Sequence, residues 1–102
     1  MKRRQVIYSP EAANDLERLY DYIVGSAGVA RADAWLMRIE SHCQSFDMAA
    51  ERGTLRNDIR PGLRVSSFGR RMTLAFTVTP TQVIFLRLFY AGADWEAAFP
   101  AD

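Results

Sequence analysis

The sequence predicts an α+β domain, a helical hairpin packed on one face of a small, mainly antiparallel sheet, in the order β-α-α-β-β-β. Three observations point there. Apolar residues recur with a helical period through the first half of the chain, then with a period of two from residue 63 onward. A short link, Gly25-Ser26-Ala27-Gly28, joins the two helical stretches, which sets them antiparallel. The chain has 102 residues, the size of one domain burying roughly two-thirds of its unfolded surface. Residues 1–102 are therefore read as a single domain.

Each element follows from local chemistry. Residues 4–8 alternate weakly and predict a short strand. Ser9-Pro10-Glu11 then starts a helix: Ser9 caps, Pro10 fits the first helical position, and Glu11 suits the positive end of the dipole. Leu16, Leu19, Tyr20 and Ile23 form one helical face, and Gly25 and Gly28 are read as its end. A second helix is predicted from Ala30 to Met48, with Ala32, Leu36, Ile39, Cys43 and Phe46 as its apolar stripe and Trp35 beside it. Residues 50–62 are polar, hold Gly53, Pro61 and Gly62, and read as a loop. Leu63 to Phe68 is a strand that turns at Gly69-Arg70. From Arg71 to Thr79 the chain alternates strictly, with Met72, Leu74, Phe76 and Val78 on one side, the pattern of a half-exposed antiparallel strand. After a turn at Pro80-Thr81-Gln82, Val83 to Tyr90 is apolar on both faces except at Arg87, which predicts the central strand. Ala93 to Phe99 is read as a short tail helix capped by Asp94. The helical stripes meet the Met72-to-Val78 side. The opposite face, with Thr73, Thr77 and Arg87, is expected to be the functional one.

Composition narrows the function classes. A chain that is 49% hydrophobic and 25% charged has the balance of a globular domain rather than a disordered segment. Its one cysteine, Cys43, cannot form an internal disulfide, which suits a reducing compartment. The apolar run at Val6-Ile7-Tyr8 is too short for a signal peptide, and no run approaches a membrane span. The expected location is the cytoplasm. A net charge of +1 does not signal generic nucleic-acid binding. Charge is nonetheless unevenly spread. Glu11, Asp15, Glu17 and Asp21 make the first helix acidic, while Arg52, Arg56, Arg60, Arg64, Arg70 and Arg71 stand against only Glu51 and Asp58 in the stretch from 51 to 71. Arginine favours bidentate contact to carboxylate and phosphate, although such a cluster is equally well read as a solvated face. His42 and Cys43 are neighbours in sequence and project about 100° apart on a helix, so no metal site is expected. The chain holds no glycine-rich phosphate loop and no serine-triad motif. No cofactor is expected.

The ordered set of short motifs resembles a known family. Tyr8-Ser9-Pro10-Glu11-Ala12-Ala13-Asn14-Asp15-Leu16 is similar to the opening strand and helix of ParE-type toxins. So are Tyr22-Ile23, Gly62-Leu63-Arg64, and Ile84-Phe85-Leu86-Arg87-Leu88-Phe89-Tyr90 leading to Asp94-Trp95-Glu96. The resemblance spans nearly the whole chain. It implies the RelE-like fold, a small antitoxin partner with a DNA-binding N-terminus, and growth arrest when the toxin is free. Two activities occur in this ParE/RelE superfamily. RelE-type members cut messenger RNA on the ribosome, and ParE-type members poison DNA gyrase without a hydrolytic site.

The residues weigh between them. RNA cleavage through the 2′-hydroxyl needs a base, an acid and cations for the developing charge. Arg64 and Arg87 match the arginines that RelE-type enzymes carry on the second and last strands, and Tyr90 is the candidate acid. The remaining set is thin, because the only lysine is Lys2 and the tail from Ala91 to Glu96 is acidic. The expectation is therefore a gyrase inhibitor acting by protein–protein contact, with Arg64, Arg87 and Trp95 facing the target. A ribosome-dependent nuclease using Arg64, Arg87 and Tyr90 is the alternative, and a non-toxic interaction module is a third. The antitoxin is expected to cover the helical hairpin at Tyr20, Trp35 and Met37 and the basic loop at Arg56 and Arg60. No direct sequence-specific nucleic-acid contact and no membrane partner are expected. Several residues, Arg64 among them, carry a structural reading beside the functional one. Arg87 alternatively forms an ion pair with Asp94 or Glu96, Trp95 alternatively pins the tail to the sheet, and Trp35 and Met37 alternatively complete the core.

Overall fold

The structure, a computed structural model, describes residues 3–90 and 93–99. Lys2, Ala91 and Gly92, which entered the charge argument above, lie outside the described residues. The element order is β1 (Gln5–Tyr8), α1 (Pro10–Ala27), α2 (Val29–Gln44), β2 (Thr54–Leu55), β3 (Arg64–Phe68), β4 (Met72–Val78) and β5 (Gln82–Tyr90). Short 3₁₀ turns follow α2 at Ser45–Asp47 and β5 at Trp95–Ala98. The five strands form one sheet in the order β1-β5-β4-β3-β2. β1 runs parallel to β5, and the other pairings are antiparallel. Among the described residues, no helix is long and apolar enough to cross a membrane.

Ser9 caps α1, with its Oγ accepting from the Ala12 amide at 3.0 Å. The same hydroxyl donates to the Leu86 carbonyl on β5 at 2.8 Å, so one side chain starts the helix and ties it to the sheet. α1 runs straight through Gly25 and ends at Gly28. The hairpin joint is thus a single glycine rather than a four-residue link. Gly28 holds φ 91°, a conformation that L side chains rarely adopt. α2 also ends earlier than its apolar stripe suggests, at Gln44, and Phe46 enters the core from the 3₁₀ turn. Inside the segment read as a loop lies β2, paired with β3. Gly53 allows that approach: its φ is 70°, and a Cβ there would run into the Val65 carbonyl.

The main core lies between the hairpin and the sheet, around Ile39, Phe46, Leu74, Phe76, Phe85 and Leu88. Phe46 meets the edges of Phe76 and Phe85 with ring centroids 5.1 and 5.3 Å apart, a favourable aromatic geometry. The opposite face of the sheet is not bare. Leu63, Ala75 and Phe89 are buried there beneath Ile59, Trp95 and Phe99. The loop before β3 and the C-terminal turn therefore cover the face that the sequence pattern left open. That is a correction, and it explains why β5 is apolar on both sides.

β5 also carries an irregularity. Ala75 pairs with Arg87 while Phe76 pairs with Phe85, so Leu86 is an extra residue. Such a bulge breaks the period of two. Val83 and Phe85 before it, and Leu88 and Tyr90 after it, all join the main core, which strict alternation would forbid.

Candidate functional site

Arg64 opens β3 and pairs across the ladders with Leu55 and Phe76. Its Nη1 donates to the Arg52 carbonyl at 3.3 Å. It borders an open cleft of about 470 Å³ together with Arg4, Glu51, Gly62 and Thr79. Arg4 is fixed there by an Nε bond to the Thr79 carbonyl at 2.8 Å. Neither guanidinium forms a salt bridge among the described residues. The cleft thus presents two oriented cations, a setting for a carboxylate or phosphate oxygen.

Arg87 lies elsewhere and is already engaged. Its Nε and Nη2 donate to the two oxygens of Asp15 on α1, at 2.8 and 3.1 Å. Asp15 Oδ2 also accepts from the Leu88 amide at 2.9 Å. The Arg87 guanidinium rests over the Phe89 ring, 4.9 Å from its centroid. β1 pairs with β5 only as far as Phe85. Asp15, 8% exposed, therefore acts as the hydrogen-bond partner of β5 beyond the end of β1. The fork to Asp15 pushes the Arg87 pKa up, against the opposing effect of burial. The ion pair foreseen with Asp94 or Glu96 is corrected to one with Asp15.

The proposed nuclease set is not assembled. The Arg87 guanidinium is held by Asp15, while Arg64 borders the cleft with Arg4, which Arg87 does not line. Tyr90 pairs with Met72, four residues along β4 from Phe76, or about 13 Å at strand rise.

The remaining candidates fall into two groups. Trp95 is half-buried in the second core, with the Arg56 guanidinium 5.3 Å from its ring centroid. Arg56 forks onto Asp58 at 2.9 Å and approaches Glu96 at 3.8 Å, so it links the loop to the tail. The fork raises the Arg56 pKa and lowers that of Asp58. Arg60 is exposed. On the hairpin, Tyr20 is half-buried, and its hydroxyl donates to Asp33 at 2.6 Å, joining α1 to α2. Trp35 is only 8% exposed and belongs to the main core, which corrects its reading as open apolar surface. Met37, by contrast, is 71% exposed.

Several residues that matter here escaped the sequence reading. Arg38 and Phe68 border hollows on the outer side of α2. The signal available was the run Arg31, Ala34, Arg38, Ser41, Ser45, free of large apolar side chains, which has the helical spacing of three and four. His42 packs against Phe46 and Phe68. Its Nε2 is buried with no hydrogen-bond partner among the described residues. Burial, and secondarily the charge of Arg52, holds its pKa below the ordinary histidine value. Cys43 is buried in the core, which pushes its thiol up to about 11.

A helical hairpin on a five-stranded mixed sheet, with candidate sites that are open clefts rimmed by arginine rather than enclosed cavities, defines the class of small α+β protein to which the chain belongs. The chain belongs to the ParE toxin family of type II toxin–antitoxin systems, parDE, whose family model it matches over residues 6–95. It is 33% identical over 81 residues to Toxin ParE3 of Caulobacter vibrioides, covering 79% of this chain and 71% of that one. Its fold is similar to a solved chain described as the chromosomal ParDE TA system from P. aeruginosa. The TM-score is 0.76 at 23% identity, covering 89% of this chain and 99% of the other.

Proposed function

We propose that this toxin arrests growth by inhibiting DNA gyrase through protein–protein contact in the cytoplasm, without hydrolytic chemistry of its own, and that a cognate antitoxin neutralises it. Membership of the ParE family supports the first part, and the relation to ParDE systems supports the partner. The observation that carries the choice over a nuclease is the commitment of Arg87. Its fork is filled by Asp15 on α1, while Arg64 borders a separate cleft with Arg4. Two cations converging on one phosphate, as transition-state stabilisation requires, are not supplied by this pair. We assign the target contact to Arg64 and its cleft, and to Arg87 and Trp95 the task of holding the surfaces that flank it.

The test is a supercoiling assay with purified toxin and gyrase. Inhibition at micromolar toxin is expected, and Arg64→Glu weakens it while leaving the thermal unfolding midpoint near wild type. Unchanged supercoiling, together with messenger RNA cleavage in a translating extract that Arg87→Ala abolishes, would overturn the proposal in favour of a RelE-like activity.

A further inference from the structure

The cleft at Arg4 and Arg64 lies where β3 begins and β4 ends, at the end of the sheet away from the β3–β4 turn. Both guanidinium groups are fixed before anything binds. Arg4 is held twice, its amide donating to the Asp47 carbonyl and its Nε to the Thr79 carbonyl, each at 2.8 Å. Arg64 is set by the ladders on both sides of β3 and donates from Nη1 to the Arg52 carbonyl. Each of these side-chain bonds uses one N–H of a five-donor fork and leaves the rest for a ligand. Such pre-organisation lowers the cost of binding. Arg52 does not compete for the same anion. Its fork is engaged by the Ser45 hydroxyl and carbonyl, both at 2.9 Å, and lies over the Phe46 ring.

The other walls decide which anion fits. Leu55, Val78 and Pro80 line the cleft beside the two cations, and Leu55 is 46% exposed. Glu51 lines it as well. A ligand that suits all of these carries one negative group, an apolar neighbour and a hydrogen-bond donor for Glu51. A carboxylate within a polypeptide has that make-up. Its planar oxygens match the forks, an adjoining side chain meets the apolar wall, and main-chain N–H groups face the acid. A phosphate chain fits less well. Its next charge is brought towards Glu51, and no aromatic ring lines the cleft among the described residues to stack a base.

We infer that the cleft receives a single Asp or Glu side chain of the target protein, flanked by an apolar residue. Arg4 and Arg64 take the carboxylate, and Glu51 disfavours polyanions. The inference rests on the target-contact reading of Arg64 above and names the chemistry that this contact meets. It adds Arg4 and Glu51, which that reading did not include.

Two measurements on the full-length toxin test the site and its target separately. In the first, NMR follows the Arg4 and Arg64 Nε–H signals of the wild-type chain while a capped Leu-Asp-Leu peptide is added. Capped Leu-Asn-Leu, inorganic phosphate and a single-stranded DNA oligonucleotide serve as comparisons. Both signals shift and saturate with the aspartyl peptide at roughly millimolar concentration, and the asparaginyl peptide binds at least about 10-fold more weakly. Glu51→Gln narrows the aspartyl peptide's advantage over phosphate by about 3-fold; an unchanged ratio overturns the role given to Glu51. If neither signal moves, or the two peptides bind equally, the inference is overturned. If phosphate or DNA saturates the signals at lower concentration than the aspartyl peptide, the cleft is a phosphate site and the inference is likewise overturned. In the second measurement, calorimetry follows toxin binding to purified gyrase. Arg4→Gln and Arg64→Gln each weaken it by at least about 30-fold, and Arg70→Gln/Arg71→Gln at the other end of the sheet stays within about 3-fold. If wild type and both cleft variants bind gyrase equally, the inference fails while the gyrase reading stands. If wild type binds the aspartyl peptide but not gyrase, the gyrase reading fails and the cleft's preference for a carboxylate holds.

Discussion

Removing the Asp15 carboxylate should reveal how much of the fold depends on one side chain. Asp15 is 8% exposed and accepts three hydrogen bonds, two from Arg87 and one from the Leu88 amide. A hydrogen bond to a charged group contributes about 1.5–3 kcal/mol, and breaking a buried pair by deleting one partner costs about 3–5 kcal/mol. The Arg87 side chain is 32% exposed, so water screens it and recovers part of that loss. The Leu88 amide, on a buried residue, recovers less. Asp15→Ala should therefore destabilise by about 3 kcal/mol, which in a domain of this size lowers Tm by on the order of 12 °C. Arg87→Ala should cost about 2 kcal/mol, because the Leu88 bond survives it. The double variant should fall short of the sum by about 1–2 kcal/mol. Urea unfolding of the four proteins measures all these terms. If each single change costs less than about 0.5 kcal/mol, or if the two add, the pair is not what holds α1 to β5. If Arg87→Lys keeps full stability but loses gyrase inhibition, Arg87 is a target contact and the assignment made for it here is wrong.

Three further outcomes follow from the same structure. His42 is the only histidine, and burial lowers its folded-state pKa, so the unfolded chain takes up the proton first as pH falls. Stability should hold above the ordinary value near 6.5 and decline as pH drops through and below it, and His42→Phe should flatten urea midpoints measured from pH 7.5 to 5.5. Gly53→Ala should cost about 2 kcal/mol or more in thermal unfolding, since the new methyl group meets the Val65 backbone at a positive φ; a cost under 0.5 kcal/mol would mean β2 does not depend on that turn. The Cys43 thiol is buried and pushed up to about 11, so a thiol-reactive chromophore should label it only at the rate of unfolding, and rapid labelling in native buffer would contradict its place in the core.

The helices and the three long strands were legible because their periodicity is local: Leu16, Leu19 and Ile23 mark one face, and Met72, Leu74 and Phe76 another, whatever surrounds them. The surface beside α2 was not, because it is made where α2 meets the β3–β4 turn, and the sequence places Arg38 and Phe68 thirty residues apart. Trp35 was ambiguous for a related reason. It sits one step from the centre of the apolar stripe, where the position of the sheet decides whether a ring is covered. Arg87 is the most instructive case. Its charge on an apolar strand demanded a partner, and the nearest carboxylates in sequence, Asp94 and Glu96, were the natural candidates. The physical requirement was broader than charge. β5 outlasts β1 at Phe85, so its edge beyond that point must also find an acceptor for the Leu88 amide. α1 leaves directly from the end of β1, and the residue that meets the exposed edge must stand in its first turns. A carboxylate there satisfies the amide and the guanidinium together, which neither tail acid does. A charged residue on a central strand that outruns its parallel neighbour is therefore better matched to an acid early in the helix following that neighbour than to the acid closest in sequence.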